Sequence, residues 1–214
     1  MAIANILDRV TQWVQDTVCP QIELKVPPAE ENEATDADYL YQRVHPTAFT
    51  LYVPSKDKLP PPVISPFPSI CVRATDGADD LGAWRGSVNL QLVFSAWSPG
   101  VYGGDILLPN QEVPLKPKIW NLPEAVEYFR RSSDGWRDAW NMADIAIREI
   151  ESVTHIDGLV IDRTVPVKFG PLTEQEAIPD YYPFWFAWVG FALQYPLSRN
   201  VKDSIEREDL SKYL

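Results

Sequence analysis

The stretch from Gly86 to Ser98, "GSVNLQLVFSAWS", restricts the fold more than any other part of the chain. Val88, Leu90, Leu92, Phe94 and Ala96 fall on one side of an extended backbone, and Asn89, Gln91 and Ser95 fall on the other. A period of two is the pattern of a strand with one face buried, because successive side chains point to opposite faces of a sheet. A chain organised around such a strand needs a sheet and an apolar layer to cover one side of it.

A second stretch, "FWFAWVGFALQYP" from Phe184 to Pro196, is apolar on both faces and bounded by Pro183 and Pro196. A buried helix and a central strand covered on both sides both fit it; the aromatic residues, Val189 and the flanking prolines favour the strand. Shorter strands are expected in "QIELKVP", "AFTLYVP" and "SICVRAT", and "GLVIDRTVPVKF" reads as one strand or a bent pair. "DGADDLGAWRG" reads as the turn into the strand at Gly86.

Helices supply the covering layer. Ile3, Ile6, Leu7, Val10, Trp13, Val14 and Val18 recur at helical spacing until Pro20 stops them, so residues 3 to 18 form an amphipathic helix. "SDGWRDAWNMADIAIREIESV" is a second, with Ser132 or Ser133 as N-cap and Trp136, Trp140, Ala143, Ile147 and Ile150 as its core stripe. "LPEAVEYFRR" reads as a short helix after Pro123. The fold class is therefore α+β: a mainly antiparallel sheet packed against an N-terminal and a central helix, in one domain over residues 1–214. Five prolines between positions 60 and 68 mark a rigid connector. Residues 99–129 are too rich in Pro and Gly for long regular elements and read as an insertion, and residues 198–214 as a charged tail.

A net charge of −11 opposes a protein that grips nucleic acid through its phosphates. Eight Trp, nine Tyr and eight Phe supply large anchors for cores and interfaces. Cys19 and Cys71 lack CxxC spacing and read as buried thiols. The first residues lack the basic and continuous apolar regions of a signal peptide, and the longest apolar run is about half a bilayer span, so an intracellular protein without a membrane anchor is expected.

Reactive constellations are scarce. His45 and His155 have no partner at metal-ligand spacing; "VHPTA" reads as a turn before a strand and "THIDG" as the end of a helix. Gly103 and Gly104 are not followed by Gly-Lys-Ser/Thr, and no nucleophile elbow, dinucleotide fingerprint or H-E-x-x-H motif occurs. The acidic "PAEENEATDADY" lacks the ligand order of a calcium loop. The residues point to a binding or structural protein without cofactor or metal rather than to an enzyme.

Four pieces in order carry a resemblance: "SPFPSICVRATDGADD", "GSVNLQLVFSAWS", "SSDGWRDAWNMADIAIREI" and "PDYYPFWFAWVGFALQYPL". The set resembles phage tail terminator or tail completion proteins over roughly residues 64 to 197. The matching positions are Gly135, Trp136, Arg137 and Asp138, then Pro183, Phe184, Trp185 and Pro196. The insertion departs from the family pattern, which has a short loop there.

The resemblance implies an α+β protomer of a homo-oligomeric, hexameric ring at the head-proximal end of a contractile or flexible tail. Such a ring stops tube and sheath polymerisation and docks the head connector. It implies the tail tube protein, the sheath protein and the head-tail connector as partners, and the virion tail, assembled in the host cytoplasm, as the location. DNA would pass without specific binding. A closed ring needs head-to-tail interfaces. On this reading the interface candidates are Trp97, Tyr102, Ile119 and Trp120 in or beside the insertion, residues 60–66, and Arg137 and Asp138, which a local ion pair at the helix start explains almost as well. Glu30, Glu31, Glu33, Asp36 and Asp38 are candidates to line a lumen that repels DNA, and a solvated outer loop explains them equally. Competing readings are another head-tail connector, collar or baseplate adaptor, and a small-molecule-binding module or enzyme with the aromatic end strand as a pocket wall.

Overall fold

The computed structural model describes residues 3–27, 42–98, 135–174, 181 and 183–197. In chain order the elements are α1 (Ile3–Thr17), β1 (Leu24–Lys25), β2 (Arg43–Val44), β3 (Thr47–Thr50), β4 (Ser69–Asp80) and β5 (Arg85–Trp97). Then follow α2 (Gly135–Ser152), β6 (His155–Ile156), β7 (Leu159–Ile161), β8 (Lys168–Pro171) and β9 (Phe184–Pro196). The fold is α+β, with β1 and β2 forming a small separate pair.

The main sheet runs β3-β4-β5-β9-β7-β6, with β8 also paired to β9. Only β3 and β4 pair in parallel; the other pairs are antiparallel. The alternation in β5 is cashed out in its register with β9. Val88 faces Leu193, Leu90 faces Phe191, Leu92 faces Val189 and Phe94 faces Ala187, and all eight are buried in one core. Ile70 and Val72 of β4 extend that apolar face beside Phe94 and Leu92.

Both helices lie on this face. Ile6, Val10 and Val14 of α1 and Ala139, Met142, Ala143, Ala146 and Ile150 of α2 belong to the same core. Helix α1 also draws the two sheet edges together. At one edge, Thr11 shares a hydrogen bond with Thr50 of β3 at 2.9 Å, and Gln15 Oε1 accepts the Ala48 N–H. At the other, Arg9 reaches Asp157 in the β6–β7 turn, through an ion pair at 3.3 Å and a bond to its carbonyl at 3.0 Å. These contacts lie within two turns of one helix, so the sheet curls around α1. The free edges are thereby covered by polar side chains that satisfy backbone groups.

Four expectations are corrected. Strand β4 continues through "DGADD" to Asp80 and only residues 81–84 form the turn, because a ladder to β5 as far as Asp80–Arg85 overrides the turn propensity of Gly and Asp. The core stripe of α2 includes the expected Ala143 and Ile150, with Trp140 and Ile147 packed at its edge, but it is centred on Ala139, Met142 and Ala146, and Trp136 is 43% exposed. Small residues let the helix approach the sheet closely, and the indoles are left at the flank. His155 is in β6 rather than at a helix end. Strand β9 is central, but among the described residues helices cover it on one face only, and Phe186, Trp188, Gly190 and Gln194 are part-exposed on the other. "GLVIDRTVPVKF" resolves into two strands, β7 and β8.

Candidate functional site

The sheet face turned away from α1 and α2 carries a groove of about 370 Å³. Its lining includes a row across three strands, Gln91, Gly190 and Lys168, which are cross-strand neighbours in that order, and Arg73 extends the row beyond the groove as the neighbour of Gln91. Gly190 leaves a gap in the row. Trp188 stands beside the gap with its indole N–H donated to the Pro171 carbonyl at 2.9 Å. Asn89, Asp76 and Thr75 close the opposite side, and Val165 and Pro166 overhang from the β7–β8 connection.

That connection is fixed by Asp162. Its carboxylate accepts from the Thr164 hydroxyl at 2.6 Å, the Thr164 backbone N–H at 2.9 Å and Gln194 Nε2 at 2.8 Å. These bonds hold Asp162 below the ordinary carboxylate range. Arg73 donates from Nε to Gln91 Oε1 at 2.8 Å, which leaves the Gln91 amide hydrogens directed elsewhere. Neither histidine nor cysteine lines the groove. Its groups suit hydrogen bonding and stacking and form no nucleophile–base pair.

Two exposed segments flank this face. The β4–β5 hairpin carries Asp76, Asp79 and Asp80 and ends in Leu81 and Trp84, both exposed. Asp80 Oδ1 accepts the N–H groups of Gly82 and Ala83 at 2.9 and 3.0 Å, an Asx-type turn that fixes the tip. The connection from β3 to β4 carries exposed Leu51, Tyr52 and Ile64 with Lys56 and Lys58. The peptide bonds before Pro62 and Pro68 are cis.

The sequence-derived candidates are dispersed. Trp97 is 4% exposed at the end of β5, opposite Phe184, which leaves little of it for a neighbour. Arg137 is exposed in the first turn of α2 with its guanidinium 5.3 Å from the Trp136 ring centroid, and Asp138 beside it is half-buried. Tyr102, Ile119 and Trp120 lie outside the described residues, as do the acidic candidates Glu30, Glu31, Glu33, Asp36 and Asp38 and the expected short helix after Pro123. Of the connector, residues 60–62 and Ile64 are exposed. The sequence reading passed over the groove and the exposed hairpin tip. Gly190 within an aromatic strand was the available signal, because an interior strand glycine marks a missing side chain.

His45 donates from Nδ1 to the Ile22 carbonyl at 2.9 Å, and His155 is bonded to Thr154. Cys19 and Cys71 are free and buried, and burial pushes Cys19 up to about 12 and raises Cys71. No helix among the described residues is long and apolar enough to cross a membrane. Comparison with protein-family models, curated proteins and solved structures returns no match.

Proposed function

We propose that the chain is the repeating subunit of a ring that caps the head-proximal end of a phage or phage-like tail tube, a tail terminator. The observation that carries this reading is the assembly of the four resembling pieces into one contiguous unit. They contribute β4, β5, α2 and β9; the three strands are adjacent, and α2 packs on them. Three of the pieces meet at one point. Trp185 donates its indole N–H to the Ser98 carbonyl at 3.0 Å, and Gly135 opens α2 against both residues, where a Cβ would overlap the indole.

A one-sided sheet with a projecting acidic hairpin suits a wedge in a ring. The net charge of −11 suits a lumen through which DNA slides without sticking. In this role the protein binds its own copies, the end of the tube and the head connector, and performs no bond chemistry.

Light scattering across a concentration series, with negative-stain images and with purified tail tubes added, tests the proposal. The expected result is a closed ring, free or on the tube end. A monomer at every concentration, with and without tubes, overturns it. The groove beside Trp188 favours a second reading, a module for a small polar ligand, which predicts a persistent monomer whose Trp fluorescence responds to ligand.

A further inference from the structure

Among the described residues, three other than glycine have positive φ. Asp157, at 45°, precedes Gly158 at 80° in the tight β6–β7 turn, an arrangement that Asp-Gly turns adopt readily. The other two are bulky and apolar: Leu51 at 67° and Trp84 at 54°. Left-handed backbone is sterically costly for such side chains and is normally given to Gly or Asn. Burial within the protomer offsets the cost only in part, since Leu51 is 57% exposed and Trp84 is 44% exposed. Strained backbone that holds apolar side chains towards solvent is a pattern of binding surfaces.

The two residues mark two different patches. Trp84 shares the fixed hairpin tip with Leu81, which is 72% exposed, and with Asp79 and Asp80. Leu51 lies next to Tyr52, 70% exposed, in the connection that carries Lys56, Asp57 and Lys58. With the exposed Arg85 at its base counted, the tip is apolar and net acidic; the loop, two lysines around Asp57, is apolar and net basic. Within a protomer they cannot meet. Leu51 is tied to the sheet through its N–H on the Val72 carbonyl at 2.8 Å, whereas the tip begins after Asp80. At ~3.3 Å per strand residue, the two points are roughly 26 Å apart along β4.

Resting on the ring reading above, we infer that the patches belong to one head-to-tail contact: the β4–β5 tip of each copy docks on the Leu51–Lys58 surface of the next. Two unlike complementary patches on one chain make a heterologous interface, the kind that propagates until it closes. Opposite charge selects this pairing over tip against tip or loop against loop. The Asp80 turn at the tip and the prolines of the connection hold both partners near their docked shapes, which lowers the ordering cost of association.

The variants Trp84→Asn and Leu51→Asn separate contact from folding, because Asn accepts left-handed backbone. Each is expected to keep or raise the melting temperature of the protomer. Each is also expected to need roughly a hundredfold higher concentration than the wild type to assemble, the effect of deleting an interface hot spot. An equimolar mixture of the two is expected to form a one-to-one dimer and nothing larger, because one intact tip then meets one intact loop once. If the wild type forms rings and the variants form them equally well, or if the mixture stays monomeric, this contact is wrong and the ring reading stands. If the wild type never assembles, with or without tubes, the ring reading fails and the contact falls with it.

Discussion

Ala48 donates its backbone N–H to the side-chain Oε1 of Gln15 at 2.8 Å, so a helix residue stands where the next strand of the sheet would be. Gln15→Leu keeps the volume and removes the acceptor. The expected cost is about 1–2 kcal/mol, the penalty of leaving a part-buried donor unmet. Urea denaturation measures it, and hydrogen exchange at the Ala48 amide should accelerate. An unchanged exchange rate there would show that water replaces Gln15 without loss.

Gly86 and Tyr195 are cross-strand partners, and a Cβ at Gly86 would overlap the tyrosine ring. Gly86→Ala is therefore expected to displace the ring from its place on the strand and to destabilise by about 2–4 kcal/mol. Gly190→Ala is the control: the nearest atom to its Cβ is 3.4 Å away, an ordinary contact. Equal denaturation midpoints for the two variants would refute the packing argument.

Tyr195 donates its hydroxyl to Asp79 Oδ1 at 2.8 Å. Burial first, and then the Asp79 carboxylate, push Tyr195 up to about 12. The unfolded chain releases this proton near pH ~10. The stabilisation is thus whole below that pH and is lost as pH rises towards the folded value. Tyr195→Phe should cost about 1–2 kcal/mol at pH ~8. The gap between wild type and variant should narrow in urea melts taken above pH ~10; a constant gap would contradict the linkage.

Cys19 is fully buried, and its thiol is raised to about 12 by that burial. A thiol that stays protonated and inaccessible is unreactive. Maleimide labelling at pH ~7.5 should therefore leave Cys19 untouched in the folded protein and modify it on unfolding. Rapid labelling under native conditions would mean that α1 opens from the core.

The strands and helices were legible where one periodicity dominates. In β5 every residue assigned to the apolar face is buried, because a half-buried strand leaves an unmistakable alternation. In α2 the helix is legible and its facing only in part: Ala143 and Ile150 are read correctly and Trp136 is not. Tryptophan outweighs alanine on any hydrophobic count, yet close packing on the sheet selects Ala139, Ala143 and Ala146 for the core and turns Trp136 outward. The acidic end of β4 was misjudged because its pairing partner, not its own composition, makes it a strand. The groove requires knowledge of register: Gln91, Gly190 and Lys168 become one row only when three strands are aligned. The left-handed backbone at Leu51 and Trp84 has no sequence signature at all.

Ser98 and Gly135 are drawn together at the indole of Trp185, so one side chain of β9 joins the end of β5 to the start of α2. A missense change at codon 135 is therefore read by β5, α2 and β9 together, since any side chain there strikes both Ser98 and the Trp185 indole.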